Sequence, residues 1–384
     1  MVGIADLCEA NGIENITSTG YSYHPMEMPE KNIKIGNALD KLFHIVLSRL
    51  TGRHGLYSKI VTKQFLRIIE KLNPNIIHLH NIHGDFLNLP MLFDYIKRHH
   101  IRVIWTLHDC WSFTGRCPHF TMAQCNKWKT GCGNCPYPKE SYPQVLVDKT
   151  AKMWKLKKEW FNGVEDMTIV TPSQWLADLV KESFLKDYPV KVINNGIDLS
   201  VFKPTESDFR QKHEIDDKYM LLGVADSWGE RKGLDVFIEL SKRLDSTKYQ
   251  IVLVGTNESV DKQLPDNIIS VHRTQNQQEL AEIYTAADLF VNATREENYP
   301  TVNMESIACG TPVMTFKTGG SAEIPDETCG VVVDCDDINT LESEIIRIAA
   351  EKSFTEENCL HRAKQFDQNE RFKDYIGLYK KGEN

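Results

Sequence analysis

Glu297 and Glu305 stand eight positions apart, with Asn298, Tyr299, Pro300 and Thr301 following the first acid and Cys309-Gly310-Thr311-Pro312-Val313 and Gly319-Gly320-Ser321 following the second. The order reads as a polar loop, a short helix, a buried strand and a glycine turn. A carboxylate ahead of a helix and another in its first turns can accept hydrogen bonds from sugar or ribose hydroxyls, with the Thr301 hydroxyl beside them. The N–H groups of Gly319, Gly320 and Ser321 can meet a phosphate. Upstream, Arg231-Lys232-Gly233 lies between a loop and the start of a helical pattern, which puts a cation where an anionic leaving group would sit. Charge-assisted hydrogen bonds of that kind contribute about 1.5–3 kcal/mol each. Each feature taken alone has a plainer reading: a glutamate at a helix start caps it or complements its dipole, and a Lys-Gly pair is a solvated turn.

The first half holds two more clusters. His108 closes the run Trp105-Thr106-Leu107-His108, and His78, His80 and His83 lie near the end of another apolar run. Alternation along a strand puts His78 and His80 on one face, so the readings are packing or a metal site. Of ten cysteines, Cys117, Cys125, Cys132 and Cys135 fall in one segment, the last two with the two-residue gap of a zinc knuckle. Four thiolates there suit a structural Zn²⁺, with His119 a spare ligand; the alternative is a set of unlinked thiols.

Several short elements must position these residues. Apolar runs at 76–80, 103–107, 168–171, 190–193, 220–224, 251–255, 268–271, 288–291 and 312–315 predict buried parallel strands. Helical patterns at 58–72, 89–99, 233–244, 277–286 and 339–350 fall between them. This alternation predicts an α/β protein with helices on both faces of parallel sheets. A chain of 384 residues exceeds what one core supports. The turn-rich stretch at 194–204 therefore divides it into a Rossmann-like domain at 1–197, carrying a cysteine-rich insertion at 110–138, and a second at 198–365. An amphipathic helix at 366–384 is expected to return to the first domain. A net charge of −8 gives no support to nucleic-acid binding. The N-terminal residues lack the pattern of a secretory signal, and no apolar run is long enough to span a bilayer, so a cytoplasmic protein with reduced thiols is expected.

The stretch from Glu297 to Glu323 resembles the nucleotide-sugar site of retaining glycosyltransferases of family 4, which have the GT-B fold of two doubly wound Rossmann-like domains facing a central cleft. Thr171-Pro172-Ser173, Val192-Ile193-Asn194-Asn195-Gly196-Ile197-Asp198 and Lys232-Gly233 extend that resemblance. It implies that Glu297 contacts the donor sugar, Glu305 the ribose and Lys232 the departing phosphate, with His108 near the scissile bond. The diphosphate leaves from the face that the acceptor attacks, and no metal is required for catalysis. The chain departs from the pattern at Val224, where many members carry an arginine; Arg231 is the candidate replacement. The runs at 77–84, 105–109 and 128–135 are similar to bacterial exopolysaccharide enzymes of the colanic-acid type, which implies a glycan or lipid-linked glycan acceptor.

Nine basic residues between Lys31 and Lys71 face only Asp40 and Glu70, interleaved with the apolar stretch 42–50. Such a surface suits an anionic membrane, an acidic acceptor or plain solvation. The family's usual first strand and glycine loop are not found at the start of this sequence, which keeps open a nucleotide-sugar-binding protein with impaired catalysis. A phosphorylase or epimerase of the same fold is the further alternative.

Overall fold

The computed structural model describes residues 2–22, 29, 31–137, 139, 142–215 and 217–380. Position 138 of the expected insertion and positions 381–384 of the expected last helix lie outside the described residues. Two compact units emerge, one made of Met1–Ile193 with Phe372–Asn384 and the other of Asn194–Arg371.

In the first unit α1 (Val2–Ala10) precedes a parallel pair, β1 (Thr17–Gly20) with β2 (Asn32–Ile35), which forms a sheet of its own. Then come α2 (Ala38–Thr51), α3 (Lys59–Leu72), β3 (Ile76–Leu79), α4 (Leu89–Arg98), β4 (Arg102–Thr106), α5 (Thr150–Phe161), β5 (Met167–Thr171), α6 (Gln174–Glu182) and β6 (Val190–Val192). Strands β3 to β6 form a parallel sheet in sequence order. Helices cover both of its faces, so β4 carries Val103, Ile104 and Trp105 at 1% exposure or less, the near-continuous apolar run of a doubly covered strand. Helix α3 turns Val61, Phe65 and Ile69 inward at helical spacing. Helix α2 starts with a capping box between Asn37 and Asp40, yet buries only His44 and Ser48.

The second unit runs β7 (Tyr219–Val224), α7 (Leu234–Arg243), β8 (Tyr249–Val254), β9 (Ile268–Val271), α8 (Gln277–Ala286), β10 (Leu289–Asn292), α9 (Thr301–Ala308), β11 (Val313–Phe316), β12 (Gly330–Val333), α10 (Ile338–Glu351), α11 (Glu356–Ala363) and the first turn of α12 (Gln368–Lys380). Its parallel sheet has the order β12-β11-β10-β7-β8-β9. The chain moves outward from β7 in one direction and from β10 in the other, so the two central strands, paired at Leu289↔Leu221 and Phe290↔Leu222, bracket the topological switch point. Ligands of open α/β sheets bind beyond the carboxyl ends of strands at such a point.

The boundary falls at Asn194 because Ile197 already pairs within the second unit: its N–H donates to the Phe366 carbonyl at 2.8 Å and its carbonyl accepts from Gln368 at 3.0 Å. The closing helix starts at Gln368, and only its part from Phe372 belongs to the first unit. There Tyr375, Ile376 and Leu378 join a cluster with Ile4, Cys8, Ile104, Val170 and Ile193.

Candidate active site

The carboxyl ends of β7 and β10 deliver the two loops that the sequence marked out. After β7 the chain reaches a short 3₁₀ turn, Glu230–Lys232, and then α7. Gly233 joins turn to helix with φ +75, and a Cβ there would lie 2.4 Å from the Ala293 carbonyl oxygen, so the close approach of the two loops requires glycine. Thr294 Oγ1 and the Arg295 N–H both donate to the Arg231 carbonyl, at 3.2 and 2.8 Å, and Arg231 Nη1 donates to the Glu296 carbonyl at 3.2 Å. Arg295 grips both oxygens of Asp235 at 2.8 and 2.7 Å and reaches Asp336 at 2.7 Å, which fixes the loop from its far side. Held between these contacts, Lys232 Nζ meets Glu297 Oε2 at 2.7 Å, with the side chains 16% and 19% exposed. A cation and an acid 65 residues apart in sequence thus form one partly solvated ion pair at the switch point.

Glu305 lies deeper, on α9. The Tyr284 hydroxyl, fully buried, donates to its Oε2 at 3.1 Å, and Thr301 supplies a second hydroxyl. Burial nonetheless raises the carboxyl above the ordinary glutamate value, and the two hydroxyls offset only part of that. Thr301 itself is exposed at the start of α9.

The glycine turn differs from the expected row of phosphate donors. The Gly320 N–H donates to the Asn298 carbonyl at 2.6 Å and the Ser321 N–H to the Thr318 carbonyl at 3.0 Å, so both are used inside the fold. Ser321 is fully buried and shares a hydrogen bond with Thr315 Oγ1 at 2.6 Å. Gly319 keeps its N–H without a protein acceptor among the described residues. Its φ is +53, and an added Cβ would stand 1.8 Å from the Glu297 carbonyl oxygen. The turn therefore braces the Glu297 loop and offers one backbone donor rather than three. Behind it, Asn292 Nδ2 donates to Asn303 Oδ1 at 2.7 Å, Asn303 Nδ2 to Ser321 Oγ at 3.1 Å, and Thr315 Oγ1 to the Asn292 carbonyl at 3.4 Å. With the Thr315–Ser321 contact this makes a closed polar ring across β10, α9, β11 and the turn. The sequence reading missed the ring, Tyr284 and Arg295; Asn292 and Thr315, polar residues at the ends of two apolar runs, were the available signal.

In the first unit His108 and His80 meet, Nε2 to Nδ1, at 3.1 Å with stacked rings. His78 packs on His80 with ring centroids 4.2 Å apart and bonds Tyr379 at 2.6 Å and Thr106 at 2.8 Å. His83 faces Asp109 at 3.4 Å and stacks on Trp111. His80, His83, Thr106, His108, Asp109 and Trp111 line a cavity of about 10 Å³. Burial depresses His78 to about 3 and lowers His80 and His108 as well, so the cluster is neutral at pH 7 and one ring N–H must bridge His80 and His108.

Cys117, Cys125, Cys132 and Cys135 line one cavity of about 20 Å³, which His119 does not. All four are free, and burial pushes Cys117 up to about 12 and Cys132 to about 11. As the side chains stand, no three His, Cys, Asp or Glu among the described residues are arranged to hold a metal ion, the histidine cluster included.

Two α/β units with parallel sheets, the second carrying an acid-cation pair at its switch point, have the GT-B fold. Residues 38–201 match the family described as Glycosyltransferase Family 4, and residues 205–370 match Glycosyl transferases group 1. WcaC of Escherichia coli (strain K12), named for colanic acid biosynthesis glycosyl transfer, is 26% identical over 317 residues, 80% of this chain and 75% of its own. The sucrose-phosphate synthase of Thermosynechococcus elongatus superposes over 99% of this chain and 91% of its own, at a TM-score of 0.73 and 17% identity. Anabaena HepE, solved with UDP-glucose, gives a TM-score of 0.61 at 14% identity over 83% of this chain and 81% of its own. The chain belongs to glycosyltransferase family 4.

Proposed function

We propose that the chain moves a sugar from a nucleoside-diphosphate donor to a hydroxyl of a glycan or lipid-linked glycan, with retention of configuration, in the assembly of a bacterial surface polysaccharide. The Lys232–Glu297 pair at the switch point is the observation that carries this reading. Lys232, with Arg231 beside it, offsets the negative charge that builds on the departing diphosphate, and the Gly319 N–H adds a fixed dipole. Glu297 and His108 orient the sugar, and Glu305 with Thr301 takes the ribose hydroxyls. Gly320 and Ser321 hold the turn in place. Positive potential from the protein suffices at the leaving group, so the reading needs no catalytic metal. The UDP-glucose bound to Anabaena HepE supports a nucleotide-sugar donor, and the colanic-acid name of the Escherichia coli relative supports the glycan class.

A lipid-linked acceptor brings the enzyme to the cytoplasmic face of a membrane. Helix α2 suits that place: Leu39, Leu42, Phe43, Val46 and Leu50 are 43–76% exposed at helical spacing, and Lys59, Lys63 and Arg67 on the following helix, α3, are exposed too. No helix among the described residues is long and apolar enough to cross the bilayer. Pelleting with liposomes of acidic lipid tests this, with loss expected when Phe43 becomes aspartate or the three α3 cations are reversed; no binding by the parent protein ends the idea.

Turnover of UDP- and GDP-sugars with and without glycan acceptors tests the main reading. Glu297→Ala is expected to abolish transfer from the accepted donor. Normal turnover by that variant refutes the site assignment, and donor binding with neither hydrolysis nor transfer points to a binding protein instead.

A further inference from the structure

The loop between β4 and α5 holds chemistry that sugar transfer does not use. Four cysteines spread over 19 positions, Cys117 to Cys135, are gathered around a cavity of about 20 Å³. That volume admits one ion or water, since about 10–15 Å³ suffices for a single water-sized sphere. Donors already point at the sulfurs: the Gly115 N–H reaches Cys132 Sγ at 3.2 Å and Arg116 Nη2 reaches Cys135 Sγ at 3.6 Å. N–H donors aimed at sulfur stabilise thiolate charge and recur as the outer shell of thiolate metal centres.

Two buried basic side chains stand beside the cavity, one with Asp109 and the other with Asp148 in electrostatic reach. Lys157 on α5 is completely buried and Arg116 is 3% exposed. Lys157 Nζ donates to the Trp111 carbonyl at 2.6 Å and the Thr114 carbonyl at 3.1 Å, and lies over the Trp111 ring. The ionisable groups within electrostatic reach of that side chain include Cys117, Cys132, Asp109, His54 and His83. A buried cation of this kind is costly unless anions stand nearby. One Zn²⁺ held by four thiolates carries a net charge of −2, part of which Lys157 and Arg116 would offset, since Asp109 and Asp148 already face them. The loop already sends Trp111, Phe113, Phe120 and Trp128 into the core, and a metal cross-link would fasten the cysteine-bearing turns around them.

We propose that Cys117, Cys125, Cys132 and Cys135 bind one structural Zn²⁺ as a tetrathiolate, and so fasten the loop that leaves β4 against α5. Four Zn–S bonds form and four thiol protons pass to solvent, with no change in oxidation state. Reaching a tetrahedral arrangement takes rotation of the thiol side chains, each of which is only partly buried. The ion stabilises the loop that follows His108 and Asp109 and takes no part in catalysis.

The test uses the full chain purified in reduced form without chelator or a metal-affinity column. Mass spectrometry is expected to find about one zinc per chain, retained through dialysis. Replacing the zinc by cobalt(II) is expected to give the strong visible bands of tetrahedral coordination and near-ultraviolet thiolate charge transfer. Cys132→Ser and Cys135→Ser should lose the metal, whereas Cys359→Ser, outside the cluster, should keep it. The proposal fails if zinc is absent or leaves on brief dialysis, if the serine variants hold as much as the parent, or if Cys132 and Cys135 are found as a disulfide. Should the serine variants not fold, the cobalt spectrum of the parent decides alone: octahedral bands or no uptake overturn the proposal.

Discussion

Replacing Glu297 by glutamine should move binding and turnover in opposite directions. Lys232 Nζ stands 2.7 Å from Glu297 Oε2, and neither side chain is more than 19% exposed. Before a donor arrives the cation is already engaged by a carboxylate, and a phosphate must share it. A hydrogen bond with a charged partner contributes about 1.5–3 kcal/mol, a neutral one about 0.5–1.5. The change to an amide therefore weakens the internal pair by about 1–1.5 kcal/mol, the difference between those ranges. Passed to the phosphate, that tightens binding of the released nucleoside diphosphate about five- to tenfold. Transfer falls about a hundredfold or more, because the sugar loses the acid that orients it. Calorimetric titration of the diphosphate and steady-state transfer read the two effects on the same preparation. Lys232→Ala serves as the converse, weakening diphosphate binding by the lost charge-assisted bond, about ten- to 150-fold. If Glu297→Gln binds the diphosphate no better than the parent, or Lys232→Ala binds it equally well, the pair does not face the leaving group.

Three further outcomes follow from the geometry. Gly319→Ala puts a Cβ 1.8 Å from the Glu297 carbonyl in a left-handed conformation, so it is expected to cost about 1–3 kcal/mol in urea unfolding and to depress transfer; parent-like values in both would show that the turn does not brace the loop. Burial raises the Glu305 carboxyl in the folded state, so its contribution to stability is full at low pH and declines as pH rises from the ordinary glutamate value through the raised one. Glu305→Gln should flatten that decline in unfolding curves, and an unchanged slope contradicts the assignment. The first unit buries neutral histidines, with His44 held to about 4 and His54 and His78 to about 3. Their contribution is full above the unfolded value of about 6.5 and is lost as pH falls toward the folded values. Hydrogen exchange in mild acid should therefore rise first in β3–β5, and earlier loss of protection in β7 and β8 argues against the histidines as the cause.

Central strands were legible in the sequence because both of their faces are covered: Met220, Leu221 and Leu222 in β7 need no alternation to announce burial. The β1–β2 pair was not, since Thr-Ser-Thr-Gly and Asn-Ile-Lys-Ile have little apolar character, and β12, at the sheet edge, offers only a short run after Gly330. Each candidate acid and cation could be picked out by its motif, but the Lys232–Glu297 contact depends on β7 and β10 being neighbours, which no local pattern encodes. The inward use of the Gly320 and Ser321 N–H groups was hidden for a related reason: their acceptors are carbonyls, which every residue possesses. Lys157 carried no motif that would single it out, and the aromatic floor of Trp111 and two carbonyls accompany its burial.

The closed ring of Asn292, Asn303, Ser321 and Thr315 bears on how this enzyme can diversify. Every member satisfies its neighbour, so exchanging one alone strands a buried polar atom, at about 1–3 kcal/mol, before any benefit is felt. Drift at these four positions must then be concerted, whereas Thr301 and the exposed edge of the loop can vary one step at a time. New donor preferences are thus expected to arise from substitutions at the rim, on a frame that lineages inherit whole.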